Sequence, residues 1–240
     1  MTAQAVAPDW ALKLGVIVPS WNTVMEYEFK RMAGDAVSLH AQRIRHTADT
    51  EEAVKWLSTQ APGAAELLAH ARVNAICFGC TGSGFLKTPD EDRRFAADLE
   101  RHTGIPTTTS SSSIVAALRH VGAKAVSVAS PYEPWLNEKL RGYLEADGFR
   151  VVAMKGLGTQ AHGSVPVDAV KALALEVLRP EAEAVFISCS NFRTLDVIDV
   201  IERETGKPVV TSNQAAMWGT LRSVGERRAV AGAGRLLREI

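Results

Sequence analysis

The sequence predicts an α/β fold, made of two similar Rossmann-like βαβ lobes with parallel sheets, related by a pseudo-twofold axis around one cleft. Three observations lead there. Apolar runs that stop in polar or Gly-rich loops alternate with helical patterns along the chain, the order that builds parallel sheets. The order repeats, and so do some of the letters. Gly104-Ile105-Pro106-Thr107-Thr108-Thr109 matches Gly206-Lys207-Pro208-Val209-Val210-Thr211, and Leu118-Arg119-His120-Val121-Gly122 matches Leu221-Arg222-Ser223-Val224-Gly225 at nearly the same offset. Finally, two apolar runs end alike: Ala75–Phe78 leads into Gly79-Cys80-Thr81-Gly82, and Ala184–Ile187 into Ser188-Cys189-Ser190-Asn191. Ligands of such sheets bind outside the carboxyl ends of the strands, so both cysteines are expected to line one inter-lobe cleft. The alternative is a single doubly wound sheet with chance echoes.

Taken in order, Leu14–Val18 reads as the first strand, ended by Pro19, and Val24–Ala33 as a helix. Val37–Ile44 alternates like a strand. Thr50–His70 is helical, with an interruption expected near Pro62-Gly63. After the Cys80 strand comes a loop to Pro89, a charged helix from Asp90 to about His102, a short strand, and a helix over Ser110–His120 whose Ser run offers caps. The second lobe repeats the series: strand Ala125–Ala129, helix Glu133–Asp147 closed by Gly148, strand Val151–Met154, helix Val165–Leu178, the Cys189 strand, helix Thr194–Thr205, a short strand and helix Ser212–Val224. The lobes are drawn at residues 10–122 and 123–225, with the C-terminal helical segment 212–240 free to pack back on the first.

Composition narrows the function. The chain has 240 residues, 46% of them hydrophobic, enough for a substantial core. Lys+Arg and Asp+Glu number 27 each, which leaves no electrostatic footprint for nucleic acid or a membrane surface. Residues 1–9 read as a frayed tail and not a signal peptide, and no apolar stretch approaches a membrane span. Three cysteines, an odd number, fit a reducing cytoplasm better than a disulfide framework.

The chemistry is expected at the strand tips. A thiolate is the nucleophile, and a free thiol titrates near 8.5, so it needs help at neutral pH. Small donor-rich loops such as Thr81-Gly82-Ser83-Gly84 and Ser190-Asn191 provide it through exposed N–H groups, which also bind a carboxylate or a forming enolate. A small carboxylic acid is therefore the expected partner. Cys77, inside its strand, reads as an inert core residue. A redox Cys77-x-x-Cys80 would belong at a helix start, and a zinc site would need a second such pair, which is absent. His40, His46, His70, His102 and His120 read as surface residues without metal-ligand spacing. No GxGxxG or GxxxxGK[ST] pattern points to a nucleotide cofactor.

Together, Gly15-Val16-Ile17-Val18-Pro19-Ser20-Trp21-Asn22-Thr23-Val24-Met25-Glu26, the Cys80 and Cys189 tips and Pro131-Tyr132 carry a resemblance. The chain resembles the maleate cis-trans isomerases, a branch of the Asp/Glu racemase superfamily that also holds the arylmalonate decarboxylases. The resemblance runs over nearly the whole chain and implies a cofactor-independent isomerase of a small dicarboxylate, maleate to fumarate first. By the same resemblance Cys80 adds to the double bond and Cys189 handles the proton. Asn22 and Tyr132 hold carboxylates, with Thr81, Gly82, Ser190 and Asn191 beside them as binding groups. Decarboxylases of this superfamily work with one Cys, at the position of Cys189, so retention of both favours an isomerase or racemase. Two features depart from the family: Trp21 stands where a small residue is usual, and the Gly158-Thr159-Gln160-Ala161-His162 loop lacks an Asn. Trp21 is expected to point outward and His162 to be an ordinary loop residue. A homo-oligomer is expected. The rivals are an aspartate- or glutamate-type racemase, an arylmalonate-type decarboxylase, and a two-lobed carboxylate-binding protein without chemistry.

Overall fold

The computed structural model describes residues 10–238; the readings of the tail over residues 1–9 and of the last two residues lie outside them. The chain runs β1 (Leu12–Pro19), α1 (Met25–Ala33), β2 (Val37–Ile44), α2 (Glu51–His70), β3 (Ala75–Phe78), α3 (Thr81–Phe85), α4 (Pro89–Thr103), β4 (Thr107–Thr109) and α5 (Ser110–His120). It continues β5 (Ala125–Ser130), α6 (Pro134–Ala146), β6 (Arg150–Gly156), a 3-10 turn at His162–Ser164, α7 (Val167–Val177), β7 (Ala184–Ile187), α8 (Leu195–Thr205), β8 (Val209–Thr211), α9 (Ser212–Ser223) and α10 (Gly234–Arg238).

These strands form two parallel four-stranded sheets of identical order, β2-β1-β3-β4 and β6-β5-β7-β8. In each sheet the order reverses between the two central strands, the switch point where an α/β crevice opens. Leu14 pairs with Ala75 in the first sheet and Val126 with Ala184 in the second. The central strands are covered on both faces, so β3 and β7 are buried along their whole length and read as continuous apolar runs without alternation.

The lobes are joined by helices. α9, which follows β8, packs against α5, β3, β4 and α1. Close approach of α5 and α9 depends on Gly219, where a Cβ would come within 2.3 Å of Ser113 Oγ. One apolar cluster therefore runs through both lobes, while a second, with Ile17, Leu57, Leu68 and Phe78, fills the outer side of the first sheet.

Three local expectations are corrected. α2 runs unbroken through Pro62. Its packed face Val54, Leu57, Ala61, Ala65 and Leu68 keeps helical spacing, while Pro62 and Gly63 face solvent, where a freed carbonyl can be hydrated. The segment from Cys80 to Pro89 is not simply a loop: α3 forms within it, and α4 opens on a Thr88–Glu91 capping box. The Ser run does supply part of the cap of α5, where Thr109 Oγ1 accepts from Ser112 N and Ser112 Oγ accepts from Thr109 N; Thr211 and Gln214 cap α9 in the same way. A short helix, α10, follows the helix read as the last. Among the described residues no helix is long and apolar enough to cross a membrane.

Candidate active site

Four strand ends meet in the cleft: those of β1 and β3 from one sheet, and of β5 and β7 from the other. They enclose a cavity of about 30 Å³ lined by Trp21, Asn22, Cys80, Thr81, Gly82, Tyr132, Cys189, Ser190 and Asn191, together with His46, Asp49 and His162. Such a space holds roughly one or two waters. A substrate of several atoms needs more room than this cavity gives.

Each strand end is fixed by its own bonds. After β1, Asn22 N–H donates to Pro19 O at 2.9 Å, and Asn22 Oδ1 accepts from Val24 N (3.0 Å) and Met25 N (2.9 Å) at the head of α1. The Arg43 guanidinium donates to Ser20 O and Asn22 O and pairs with Glu26 at 2.6 Å, which pins the turn. Across the cleft, Asn22 Nδ2 donates to Ser190 Oγ at 3.1 Å and Thr23 N to Asn191 Oδ1 at 2.9 Å. Asn22 thus ties the two lobes as well as lining the cavity.

After β3, Cys80 is the extended residue just before α3. Gly84 lets α3 lie against α5, because a Cβ there would come within 2.0 Å of Ser111 Oγ; Ser111 Oγ donates to Thr81 O at 3.0 Å. The Thr81 hydroxyl oxygen is buried and has no hydrogen-bond partner among the described residues. Lys87 Nζ donates to Ser58 Oγ (2.7 Å) and Ser83 O (3.0 Å) beneath this loop. Burial pushes the Cys80 thiol up to about 12, against the N–H groups of Ser83 and Gly82 and the charge of Lys87, which pull it down; Asp49 adds to the rise.

After β7, Cys189 has φ of +111°, a region a non-Gly residue rarely occupies. Strain of this kind costs on the order of 1–3 kcal/mol and persists where surrounding bonds over-determine it. Here Cys189 N donates to Ser212 Oγ at 2.9 Å, and Asn191 N donates back to Cys189 Sγ at 3.3 Å. Burial also raises the Cys189 thiol, opposed by the Asn191 N–H. Tyr132, after β5, accepts from Ser188 Oγ at 3.3 Å through its hydroxyl, and burial pushes its phenol well above the ordinary range.

All eight residues expected at the site line this one cavity. Cys77 does not; it is fully buried in the core, as its strand position predicts. Three expectations fail. Trp21 points inward, its ring edge-on to His46 at 4.5 Å and near His162 at 6.1 Å between centroids. His162 is no ordinary loop residue: it is buried, and its Nδ1 lies 3.5 Å from Cys189 Sγ. His46 is buried, not superficial, with Nε2 3.3 Å from Asp49 Oδ1. The reason is common to all three: the β2–α2 connection and the β6–α7 loop fold over the cleft mouth, and the aromatic rings pack on one another there. Asp49 was missed altogether. It sits beside Thr50, the cap of α2, in a connection that sequence shows only as polar. Among the described residues no group of three or more His, Cys, Asp or Glu is arranged to hold a metal ion.

Two facing thiols between N–H-rich turns can add to an electrophilic carbon from one side and move a proton on the other. The maleate isomerase of Nocardia farcinica is 29% identical over 240 residues, covering 95% of this chain and 96% of that protein. The arylmalonate decarboxylase of Bordetella bronchiseptica is 33% identical over 147 residues, 59% of this chain and 61% of that one. In a solved structure, a Cys-to-Ser mutant of the Nocardia farcinica maleate cis-trans isomerase with a covalently bound succinylcysteine intermediate superposes with a TM-score of 0.91 at 27% identity, covering 95% of this chain and 99% of that chain. Over residues 14–237 the chain matches the arylmalonate decarboxylase family, and it is an enzyme that belongs to that family.

Proposed function

We propose that this enzyme isomerises a small unsaturated dicarboxylate, maleate to fumarate, by reversible addition of a cysteine thiolate. The observation that carries this is the pair Cys80 and Cys189 in one cavity, each at the tip of an equivalent strand. The Cys80 thiolate forms a C–S bond to one alkene carbon, and the π pair moves to the neighbouring carbon and into its carboxylate. Cys189 S–H gives that carbon its proton, leaving a succinyl thioether on Cys80. Rotation about the new single bond follows. The Cys189 thiolate then takes the proton back, the C–S bond breaks, Cys80 regains its electron pair and the trans acid leaves. The succinylcysteine carried by the Nocardia farcinica relative supports this order.

The carboxylates are held by the unpartnered Thr81 hydroxyl, the Gly82 N–H, the Asn191 amide and the Tyr132 hydroxyl, with Asn22 and Ser190 exchanging their mutual bond for the substrate. Every step uses groups of this chain, so the assay contains no added metal or cofactor. Proton NMR in D2O with maleate tests the proposal: fumarate signals are expected, and their absence with the folded enzyme overturns it.

A second reading rests on Trp21. With Val54 and Leu136 it gives the cavity an apolar wall, and Asp49 adds a carboxylate to it. A bulkier acid of lower charge, with an apolar arm against Trp21, suits that wall better than maleate. Trp21→Ser separates the two: a large gain in maleate turnover means that the ring excludes maleate in the wild type, while unchanged turnover with reduced stability means that it only packs.

A further inference from the structure

The two thiols of the cleft carry two protons at rest, because burial raises both. The proposed chemistry needs one thiolate and one thiol, so one proton must leave the pair before Cys80 can attack. The nearest base is in the cavity wall. His162 Nδ1 is 3.5 Å from Cys189 Sγ, and on the far side of the ring Nε2 is 3.4 Å from Asp49 Oδ2. Asp49 Oδ1 faces His46 Nε2 at 3.3 Å. The ring is boxed between Trp21 and Tyr132, with centroids 6.1 and 5.7 Å away, and is 4% exposed, so water is not a ready substitute. Its Nε2 is buried with no well-aligned hydrogen-bond acceptor among the described residues, and Asp49 is the carboxylate that faces it.

We propose that His162 is the base that takes the surplus proton from the cysteine pair, and that Asp49 is the positioning residue that orients its ring and balances its charge. This rests on the reading of Cys80 and Cys189 given above. A carboxylate facing Nε2 favours the tautomer with hydrogen on that nitrogen and leaves the Nδ1 lone pair toward Cys189. The Cys189 S–H proton passes to Nδ1, and the Cys80 S–H proton passes to the Cys189 thiolate. The result is a Cys80 thiolate, a Cys189 thiol and a His162 imidazolium beside Asp49. When Cys189 later protonates the substrate carbon, its new thiolate lies against that imidazolium, which stabilises it until the proton returns. Burial lowers the His162 ring while Asp49 and the Thr159 carbonyl raise it, so the ring rests neutral and able to accept. The other titratable groups facing it are His46, whose charge opposes protonation, Glu133 at the head of α6, which favours it, and Tyr132 and Cys189.

Thiol labelling tests this without any substrate. Iodoacetamide modification of Cys80 and Cys189 is followed by peptide mass from pH 6 to 10 in wild type, His162→Gln and Asp49→Asn. Transfer of a proton within the protein neither gains nor loses protons, so the wild-type rate is expected to be level over roughly pH 7–9. In His162→Gln the rate should be about a hundredfold lower at pH 7 and climb about tenfold per pH unit to meet the wild-type value near pH 9, because only hydroxide then makes the thiolate. Asp49→Asn keeps the ring and should slow labelling in the same level region; it decides the matter if His162→Gln does not fold. Wild-type rate and profile in the folded variants, or a wild-type rate that itself climbs steadily from pH 6, overturns the proposal. Turnover by Cys80→Ala would sink the thiolate-addition reading instead, while the labelling profile of Cys189 would still judge His162.

Discussion

Cys77 and Cys80 stand three residues apart on one chain segment, yet their surroundings assign them different work. Cys77 lies inside β3 against Thr108 and Thr220, and burial pushes its thiol up to about 11 from 9.0. Cys80 stands past the end of the strand, with N–H groups turned toward it. Replacing Cys80 or Cys189 by Ala should abolish maleate turnover while leaving the melting temperature near that of wild type, since both side chains line a cavity. Cys77→Ala should keep turnover and cost about 1 kcal/mol of stability through the void left in the core. The Cys77 shift also predicts a pH dependence. Between pH 9 and 11 the unfolded chain ionises this thiol and the folded chain does not, so the folded form holds more protons and stability falls as pH rises through that window. Thermal melts in this range should show a shallower decline for Cys77→Ala than for wild type; equal slopes would mean that the thiol does not take part. These distinctions were legible in the sequence because strand interior and strand tip differ in pattern. The roles of His46, Asp49 and His162 were not, because a His or Asp in a polar loop looks the same whether the loop faces water or folds over a cleft.

At the scale of single elements, helix caps and strand cores followed from local chemistry, while the exceptions came from packing. β3 and β7 were recognisable from unbroken apolar runs, and α4 from the charged helical pattern that follows Pro89, though its Thr88–Glu91 capping box was not read. α2 is the contrary case, for Pro62 reads as a break and is carried through the helix by the buried face on either side. A Pro in a helix interior costs up to about 3 kcal/mol. Pro62→Ala should therefore raise the melting temperature, with a gain of about 1–3 kcal/mol in denaturant titrations; a loss would mean that the helix needs its bend there. The paired caps offer a second check. Thr109 and Thr211 each accept from the third residue of the helix they open. Substituting Ala at either should cost about 1 kcal/mol. Equal costs at the two positions would reflect the equivalence of the lobes, which the repeated Gly-x-Pro segments already announced.

Across the whole molecule, the repeat explains the two sheets but not what holds them at working distance. Beside the packing of α9 on the first lobe, Glu28 shares that task, and no sequence pattern disclosed it. It lies on α1 in the first lobe and is buried; its Oε1 accepts from Thr194 N (2.6 Å) and Leu195 N (2.8 Å) at the head of α8, and its Oε2 from Asn213 Nδ2 at 2.7 Å on α9. A carboxylate at a helix N-terminus also meets the positive end of the helix dipole. Burial raises this carboxyl above the ordinary carboxylate range, against these hydrogen bonds, which lower it. The turns ahead of the same two helices carry Asn22 and Thr23 to Ser190 and Asn191 at the cavity, so Glu28 and the cavity contacts tie the lobes side by side. Glu28→Ala leaves buried N–H donors on α8 and α9 without partners, and should cost about 1–3 kcal/mol for each donor left unpaired. Glu28→Gln keeps the shape but turns part of the acceptor into a donor facing other donors, so it should also destabilise, by about 1–3 kcal/mol. In the Gln variant, parting of the lobes should become easier. Iodoacetamide labelling of Cys80 should then accelerate at fixed pH, while the KM for maleate rises because the closed state that desolvates the carboxylates is less populated. A Glu28→Gln protein with wild-type stability, labelling and KM would show that the lobes are held by the α5–α9 contact alone.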